Sequence, residues 1–355
     1  MKAVIGVIGC GNISRFHFSG LEKAGARVKR VCDIVENNAR PYADKFSAEY
    51  SADWRDVIAD TEVNTVIITT LSSSHKDICM EAIRAGKAVI CEKTLTENPD
   101  DSLEVISAAE KQGIVLYTSY MKRFIPAVAK AKELLPSLGR ILSSHVRSHQ
   151  RWGNLWDENP ESGFFHTPPG GMSQVRKNYG GGILACGGSH LLDLVLFLHG
   201  RPRRVYGKIM TPAGRDYDLR TNALIETTDG IVNFEVLTHP LRHSGFLKDG
   251  WDERIEIIGV DGRLEVFSAA WDNPLNKVSF LTHYDNAGGK LTEHNFDAIS
   301  PFDKAIAFFL GNIEKGKQGI QSIATGYEVD ELIRHIQLSS ESGRAVDIVY
   351  RHYGE

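Results

Sequence analysis

The sequence predicts an α/β chain in two parts: a doubly wound parallel sheet over roughly the first 120 residues, then an α+β domain carrying a large, mostly antiparallel open sheet. Three observations predict it. Short, continuously apolar, β-branched runs alternate with helical stretches up to Met121, longer alternating runs joined by Asp-Gly turns follow from about Gly139, and a glycine-rich turn separates the first run from the first helical stretch. With 355 residues the chain is long for a single core. The boundary is expected after Met121, giving domains 1–121 and 122–355.

In the first part the runs are Ala3 to Ile8, Val28 to Asp33, Thr65 to Thr70, Ala88 to Glu92 and Ile114 to Thr118. Their unbroken hydrophobicity means strands buried on both faces, as in a parallel sheet covered by helices. Between them, Ile78, Ala82 and Ala85 fall at helical spacing and Gly86 stops the helix, while Pro99 opens a second helix that ends near Gly113. In the second part, Ala223 to Thr228 faces Ile231 to Leu237 across Asp229-Gly230, and Ile255 to Val260 faces Arg263 to Phe267 across Asp261-Gly262. Asp-Gly between apolar runs signals a hairpin. The stretch Gln150 to Gly182, rich in Gly, Pro and aromatics, reads as a long functional loop, and helices near Asp303 to Gly311 and Ala324 to Ser339 close the chain.

Composition narrows the function classes. The residues are 42% hydrophobic and 24% charged with a formal net charge of -4, which gives no basic excess for nucleic acid. No apolar run reaches the length of a membrane span, and the apolar opening Lys2 to Gly9 lacks the features of a secretion signal, so a cytoplasmic protein is expected. The five cysteines show no Cys-x-x-Cys spacing and the thirteen histidines no metal-ligand pairing, so neither a disulfide framework nor a metal is required.

Gly9-Cys10-Gly11-Asn12-Ile13-Ser14 follows the first strand and opens a helix. Gly9 permits the tight turn, Gly11 lets the backbone approach a pyrophosphate, and Ser14 is the small residue that close helix-strand packing needs. A pyrophosphate then rests on the amides at the helix start, where Asn12 and Ile13 lie. Asp33, at the end of the second strand, is placed to bond both ribose hydroxyls and to repel a 2′-phosphate, and no cation immediately follows it. The pattern is a Rossmann dinucleotide site, with NAD(H) favoured over NADP(H).

Further motifs follow in order: Glu92-Lys93-Thr94 after the fourth predicted strand, Tyr120-Met121-Lys122-Arg123-Phe124 after the fifth, and Gly180-Gly181-Gly182 leading to His190-Leu191-Leu192-Asp193. Together with the glycine turn, this order resembles the Gfo/Idh/MocA oxidoreductase family across essentially the whole chain. The resemblance implies hydride transfer between a nicotinamide cofactor and a secondary alcohol or ketone of a sugar, inositol or related polyol. It also implies that Glu92 and Lys93 belong to the cofactor site, with Lys93 beside the nicotinamide and the reacting hydroxyl, and that His190 is the proton acceptor. Two positions depart from the family pattern. Thr94 replaces a proline, and Cys186 stands where the family carries an aspartate.

An imidazole titrates near neutral pH and suits the base, while a protonated lysine stabilises a developing alkoxide. His190 and Lys93 therefore fill complementary roles, and Asp193, three residues on, either orients His190 or serves structure. Tyr120 and Arg123 follow a strand end and are candidates for the nicotinamide side, with a structural ion pair the alternative for Arg123. Trp152, with Trp156, His149, Arg151, His166 and Tyr179, offers stacking faces and donors for a sugar ring, and Arg176 with Lys177 would suit an anionic sugar. Cys186 reads either as a small core residue or as a weakly acidic member of the site. Relatives pair the exposed sheet face across subunits, which implies a homodimer or homotetramer through the C-terminal sheet. Alternative functions are an NAD-retaining lyase or glycosidase acting through transient oxidation, and a non-catalytic NAD-binding regulator.

Overall fold

The computed structural model describes residues 2–156, 166–167, 171–273 and 277–351. The chain forms two compact units: 1–121 with 302–330 and 351–355, and 122–301 with 331–350. The chain passes from the first unit to the second after Met121 and returns to the first for 302–330.

The first unit is a six-stranded sheet, built from β1 (Val4–Ile8), β2 (Arg27–Cys32), β3 (Glu49–Ser51), β4 (Thr65–Ile68), β5 (Ala88–Cys91) and β6 (Leu116–Thr118). All pairs are parallel, in the order β3-β2-β1-β4-β5-β6. Val66, Ile67 and Ile68 are each 0% exposed, so the unbroken apolar runs are strands covered on both faces. The order reverses between β1 and β4, which creates the crevice at the carboxyl ends where such sheets bind ligands. Helices α1 (Ser14–Lys23), α2 (Glu36–Phe46), α3 (Trp54–Ala59), α4 (His75–Arg84) and α5 (Pro99–Gln112) connect the strands. Pro99 sits in the first turn of α5, Asn98 caps it through the amide of Asp101, and Gly113 ends it in the left-handed region.

The returning segment completes this unit. Gln318 hydrogen-bonds the free edge of β6, its side chain accepting from Leu116 N at 3.1 Å and donating to Leu116 O at 2.6 Å. Phe302 stacks on Phe16 of α1 at 5.1 Å between ring centroids, and a Cβ at Gly20 would come within 2.9 Å of Ile306, so the helix there needs glycine.

The second unit is a mixed nine-stranded sheet of β7 (Ile141–Arg151), β8 (Arg204–Met210), β9 (Arg220–Glu226), β10 (Ile231–His239), β11 (Trp251–Gly259), β12 (Gly262–Ser268), β13 (Phe280–Asp285), β14 (Lys290–Asn295) and β15 (Val346–Asp347). Its order is β14-β13-β12-β11-β7-β10-β9-β8-β15, antiparallel except where β7 runs parallel to β10. Both Asp-Gly turns close hairpins as predicted, Ile231 pairing with Glu226 and Ile258 with Arg263. The remaining helices are α6 (Pro126–Leu134), α7 (Gln174–Tyr179), α8 (Ser189–His199), α9 (Pro301–Ile313) and α10 (Thr325–Ser342). One face of the sheet is buried, through residues such as Val146, Phe234, Val236, Ile255 and Val266. The opposite face carries Tyr206 and Leu224, 45% and 46% exposed, among the ion pairs Arg254–Glu265, Arg263–Glu256 and Arg147–Asp252. The expected long loop is shorter than its composition implied, because β7 extends to Arg151 and α7 lies within it. Parts of that loop, 157–165 and 168–170, lie outside the described residues.

Candidate active site

In the first unit, Gly9 has a φ of +94°, and a Cβ there would lie 2.8 Å from the Thr69 carbonyl and the Thr70 amide. Only glycine fits that turn. Nothing lies within 4 Å of where a Cβ of Gly11 would stand, so its exposed backbone is open to an approaching ligand. Asn12 is also exposed, and Ile13 forms the N-cap of α1 without any side-chain hydrogen bond to the helix amides. An unfilled helix start of this kind accepts an anion. Ser14 is fully buried and its hydroxyl donates to Gly11 O at 2.7 Å, so the third position of the fingerprint closes the turn on itself.

Asp33 stands half-buried beyond β2. One carboxylate oxygen accepts the Cys10 amide at 2.7 Å and the other the Val35 amide at 2.8 Å, which ties the acid directly to the glycine turn. Each ionised oxygen keeps further acceptor capacity for a hydroxyl. The two residues that follow, Ile34 and Val35, are 87% and 49% exposed and uncharged. This donor and acceptor set fits a dinucleotide: open glycine backbone, an uncapped helix start and a carboxylate at the second strand end.

At the end of β5 the chain runs through Glu92, Lys93 and Thr94. Every residue from Cys91 to Thr96 is buried except Lys93, which is partly exposed. Glu92, 4% exposed, places Oε1 2.7 Å from His17 Nε2 and accepts the Lys93 amide on Oε2 at 3.1 Å. Burial alone would raise this carboxyl, but the hydrogen bond from His17 leads the contacts that hold it below the usual carboxylate range. The Lys93–Thr94 peptide is cis although Thr94 is not a proline. Tyr120, past β6, is fully buried.

In the second unit a π-helical turn, Leu184–Gly188, runs directly into α8. Asp218 holds its entrance, accepting from Gly182 N and Leu184 N at 3.0 Å each. A Cβ at Gly182 would lie 2.0 Å from Asp218 O, so the close approach requires glycine. Burial outweighs these hydrogen bonds and raises the Asp218 carboxyl. Cys186 is half-buried on the π turn, and His190, in the first turn of α8, is 7% exposed. Asp193 is 0% exposed, and its carboxylate accepts three hydrogen bonds from Arg123: from Nε at 3.0 and 2.8 Å and from Nη2 at 2.6 Å.

Trp152 donates to Gln150 Oε1 at 3.1 Å and packs against Leu155, Val175, Tyr217 and Leu219. Arg176 and Lys177 are exposed in the last turn of α7. The side chain of Tyr179 lies outside the described residues. Sequence reasoning missed four residues around these candidates: His17, His75, Asp218 and Glu253. Glu253 pairs with Lys122, both side chains being 1% exposed. For His17 and His75 the available signal was a histidine inside a helix beside a strand end; for Asp218 and Glu253 no local pattern existed. Among the described residues, no group of His, Cys, Asp and Glu could hold a metal ion, and no helix is long and apolar enough to cross a membrane.

The fold and the glycine turn define a dinucleotide-binding α/β protein. Residues 4–120 match the Gfo/Idh/MocA oxidoreductase family profile with an NAD-binding Rossmann fold, and residues 128–265 match the Gfo/Idh/MocA C-terminal domain. The chain belongs to the Gfo/Idh/MocA family and is an NAD(P)-binding enzyme of the dehydrogenase and reductase type. An uncharacterized oxidoreductase of Bacillus subtilis (strain 168) is 26% identical over 77% of this chain and 74% of its own length. Inositol 2-dehydrogenase of Salmonella typhimurium is 33% identical, but over 42% of this chain and 46% of its own length, so the match spans less than half of that relative. Levoglucosan dehydrogenase, solved with NADH and levoglucosan, superposes with a TM-score of 0.81 at 22% identity, covering 99% of this chain and 100% of that one, which is a likeness of fold.

Proposed function

We propose that this enzyme transfers a hydride between NAD(H) and a secondary alcohol or ketone of a sugar, inositol or related polyol. The observation that carries the reading is the exposure of Lys93, the only side chain of the Cys91 to Thr96 turn that is not buried, at the carboxyl edge of the parallel sheet. The inositol dehydrogenase relatives and the levoglucosan-bound fold neighbour support the substrate class. When bound, the nicotinamide supplies the hydride acceptor or donor. Lys93, as an ammonium, stabilises charge on the substrate oxygen, and His190 takes the hydroxyl proton. Asp193 anchors α8 to Arg123 instead of acting on substrate, because its carboxylate is already held by three hydrogen bonds from that guanidinium. Trp152, Cys186, Arg176 and Lys177 remain candidates for shaping the substrate side. The experiment is a panel of inositols, levoglucosan and hexoses with NAD, followed by nicotinamide absorbance. Turnover of at least one member is expected, and NADH binding without any turnover contradicts the reading.

The preference for NAD(H) rests on the Asp33 carboxylate and on the uncharged Ile34 and Val35 beside it. NADH is expected to bind at least about tenfold more tightly than NADPH, a difference of roughly 1.4 kcal/mol. Asp33→Asn, which keeps an acceptor for Cys10 N and removes the charge, should narrow that ratio severalfold in fluorescence titrations. An unchanged ratio would place the selectivity elsewhere.

The open face of the nine-stranded sheet joins copies of the chain into a homodimer or homotetramer. Exposed Tyr206 and Leu224 lie on that face among cations and anions paired within the chain, and an apolar patch of this kind supports a two-fold contact between copies. Sedimentation at micromolar protein should show an oligomer, and Leu224→Arg should shift it toward monomer; a monomeric wild type rejects the assignment. All five cysteines are free thiols, which supports a cytosolic enzyme.

A further inference from the structure

His17 lies on α1, the helix whose start faces the glycine turn, and is 0% exposed. Its Nε2 donates to Glu92 Oε1 at 2.7 Å, while Glu92 Oε2 accepts the Lys93 amide at 3.1 Å. Two hydrogen bonds through one buried carboxylate thus connect the dinucleotide helix to the backbone of Lys93. An ionised carboxylate is acceptor-only, so it serves both donors at once. On the other side of the turn, His75, also 0% exposed, sets Nδ1 2.9 Å from Thr94 O and Nε2 3.2 Å from Thr70 O. The turn is also fixed further along, where the Thr96 amide and the Ser102 hydroxyl both donate to Asp330 Oδ2, at 3.3 and 2.6 Å. A buried polar network whose members are satisfied rigidifies its surroundings, so specificity of position accounts for why so many polar groups converge on one short turn.

We infer that His17 and Glu92 are positioning residues for Lys93, fixing the lysine relative to the α1 start on which a dinucleotide pyrophosphate would rest. The inference builds on the reading of Lys93 as the group that stabilises charge on the substrate oxygen. It makes α1 serve two ends, its first amides toward the cofactor and its second turn toward the lysine. A displacement of about 1 Å at a reacting group can cost on the order of 10²-fold in rate.

The test is a double-mutant cycle on the full-length enzyme with the substrate found in the panel, comparing wild type, Lys93→Ala, His17→Ala and the double variant, with His17→Gln as the conservative replacement. His17→Ala should lower kcat by about 10²-fold while NADH affinity stays within about threefold and the folded state persists, and His17→Gln, whose amide can donate to Glu92, should restore most of the loss. In the Lys93→Ala background the same change should have less than about a threefold effect, because coupled residues do not add. Additive losses, or a His17→Ala enzyme as fast as wild type, overturn the coupling alone. A Lys93→Ala enzyme as fast as wild type overturns the parent reading and this one with it. If His17→Ala does not fold, Glu92→Gln, which loses one acceptor at equal size, completes the same cycle. If no panel member turns over, the rate of Lys93 trinitrophenylation in the NADH complex, read by peptide mass spectrometry, decides: a severalfold change in His17→Ala with wild-type behaviour in His17→Gln supports the coupling, and equal rates in all three overturn it.

Discussion

Replacing Lys93 by Ala is expected to lower kcat by about 10² to 10³, the loss found when one preorganised donor to a developing oxyanion is removed. The side chain emerges from a turn whose other residues are buried, and Glu92 accepts its backbone amide, so its point of attachment is fixed. Folding should be unaffected, because a partly exposed side chain leaves no cavity when shortened. His190→Ala is expected to cost about 10² to 10⁴, as loss of a general base does. Steady-state kinetics with matched thermal denaturation check both. Turnover of Lys93→Ala within about threefold of wild type would remove the lysine from any electrostatic role.

Asp193→Ala has its largest effect on stability. The carboxylate is fully buried and Arg123 is 12% exposed at its side chain, so removing the acid strands a guanidinium in a largely dry site. Breaking such a pair from one side costs about 3 to 5 kcal/mol, a large fraction of the stability of a typical domain. Double replacement of Arg123 and Asp193 by apolar residues of similar size should be less damaging than Asp193→Ala alone, since no charge is left uncompensated. Urea denaturation of the three variants measures this. A loss under about 1 kcal/mol for Asp193→Ala would show that the pair contributes no more than a surface bridge.

How far the sequence was legible follows from which signals are local. The buried parallel strands were readable because unbroken β-branched runs have few other uses, and the hairpins because Asp-Gly between apolar runs admits few turns. Strand β3 was not, since Glu49-Tyr50-Ser51 is three residues long at a sheet edge and carries no apolar run. The parallel pairing of β7 with β10 was equally hidden, because register between distant strands leaves no mark within either. At the site, Gly9 was legible through its backbone requirement, and the geometry bears this out in a positive φ and a crowded Cβ position. The spacing of Asp193 from His190 permits a shared helical face, whereas the hydrogen bonds it accepts from Arg123 come from a different element and leave no local mark. His17 and Glu92 show the same limit, since each looks ordinary within its own segment and only the fold brings them to 2.7 Å.

The central claim is that a carbon-bound hydrogen of a sugar or polyol leaves as hydride to NAD. Incubating the enzyme with NAD and a panel substrate deuterated at its carbinol carbons, then weighing the dinucleotide by mass spectrometry, tests this directly. The account predicts NADH carrying one deuterium, formed in step with the ketone and strongly reduced in Lys93→Ala. Eliminated or hydrolysed sugar with no net NADH, or tightly held NAD with no deuterium transfer to any product, would contradict it.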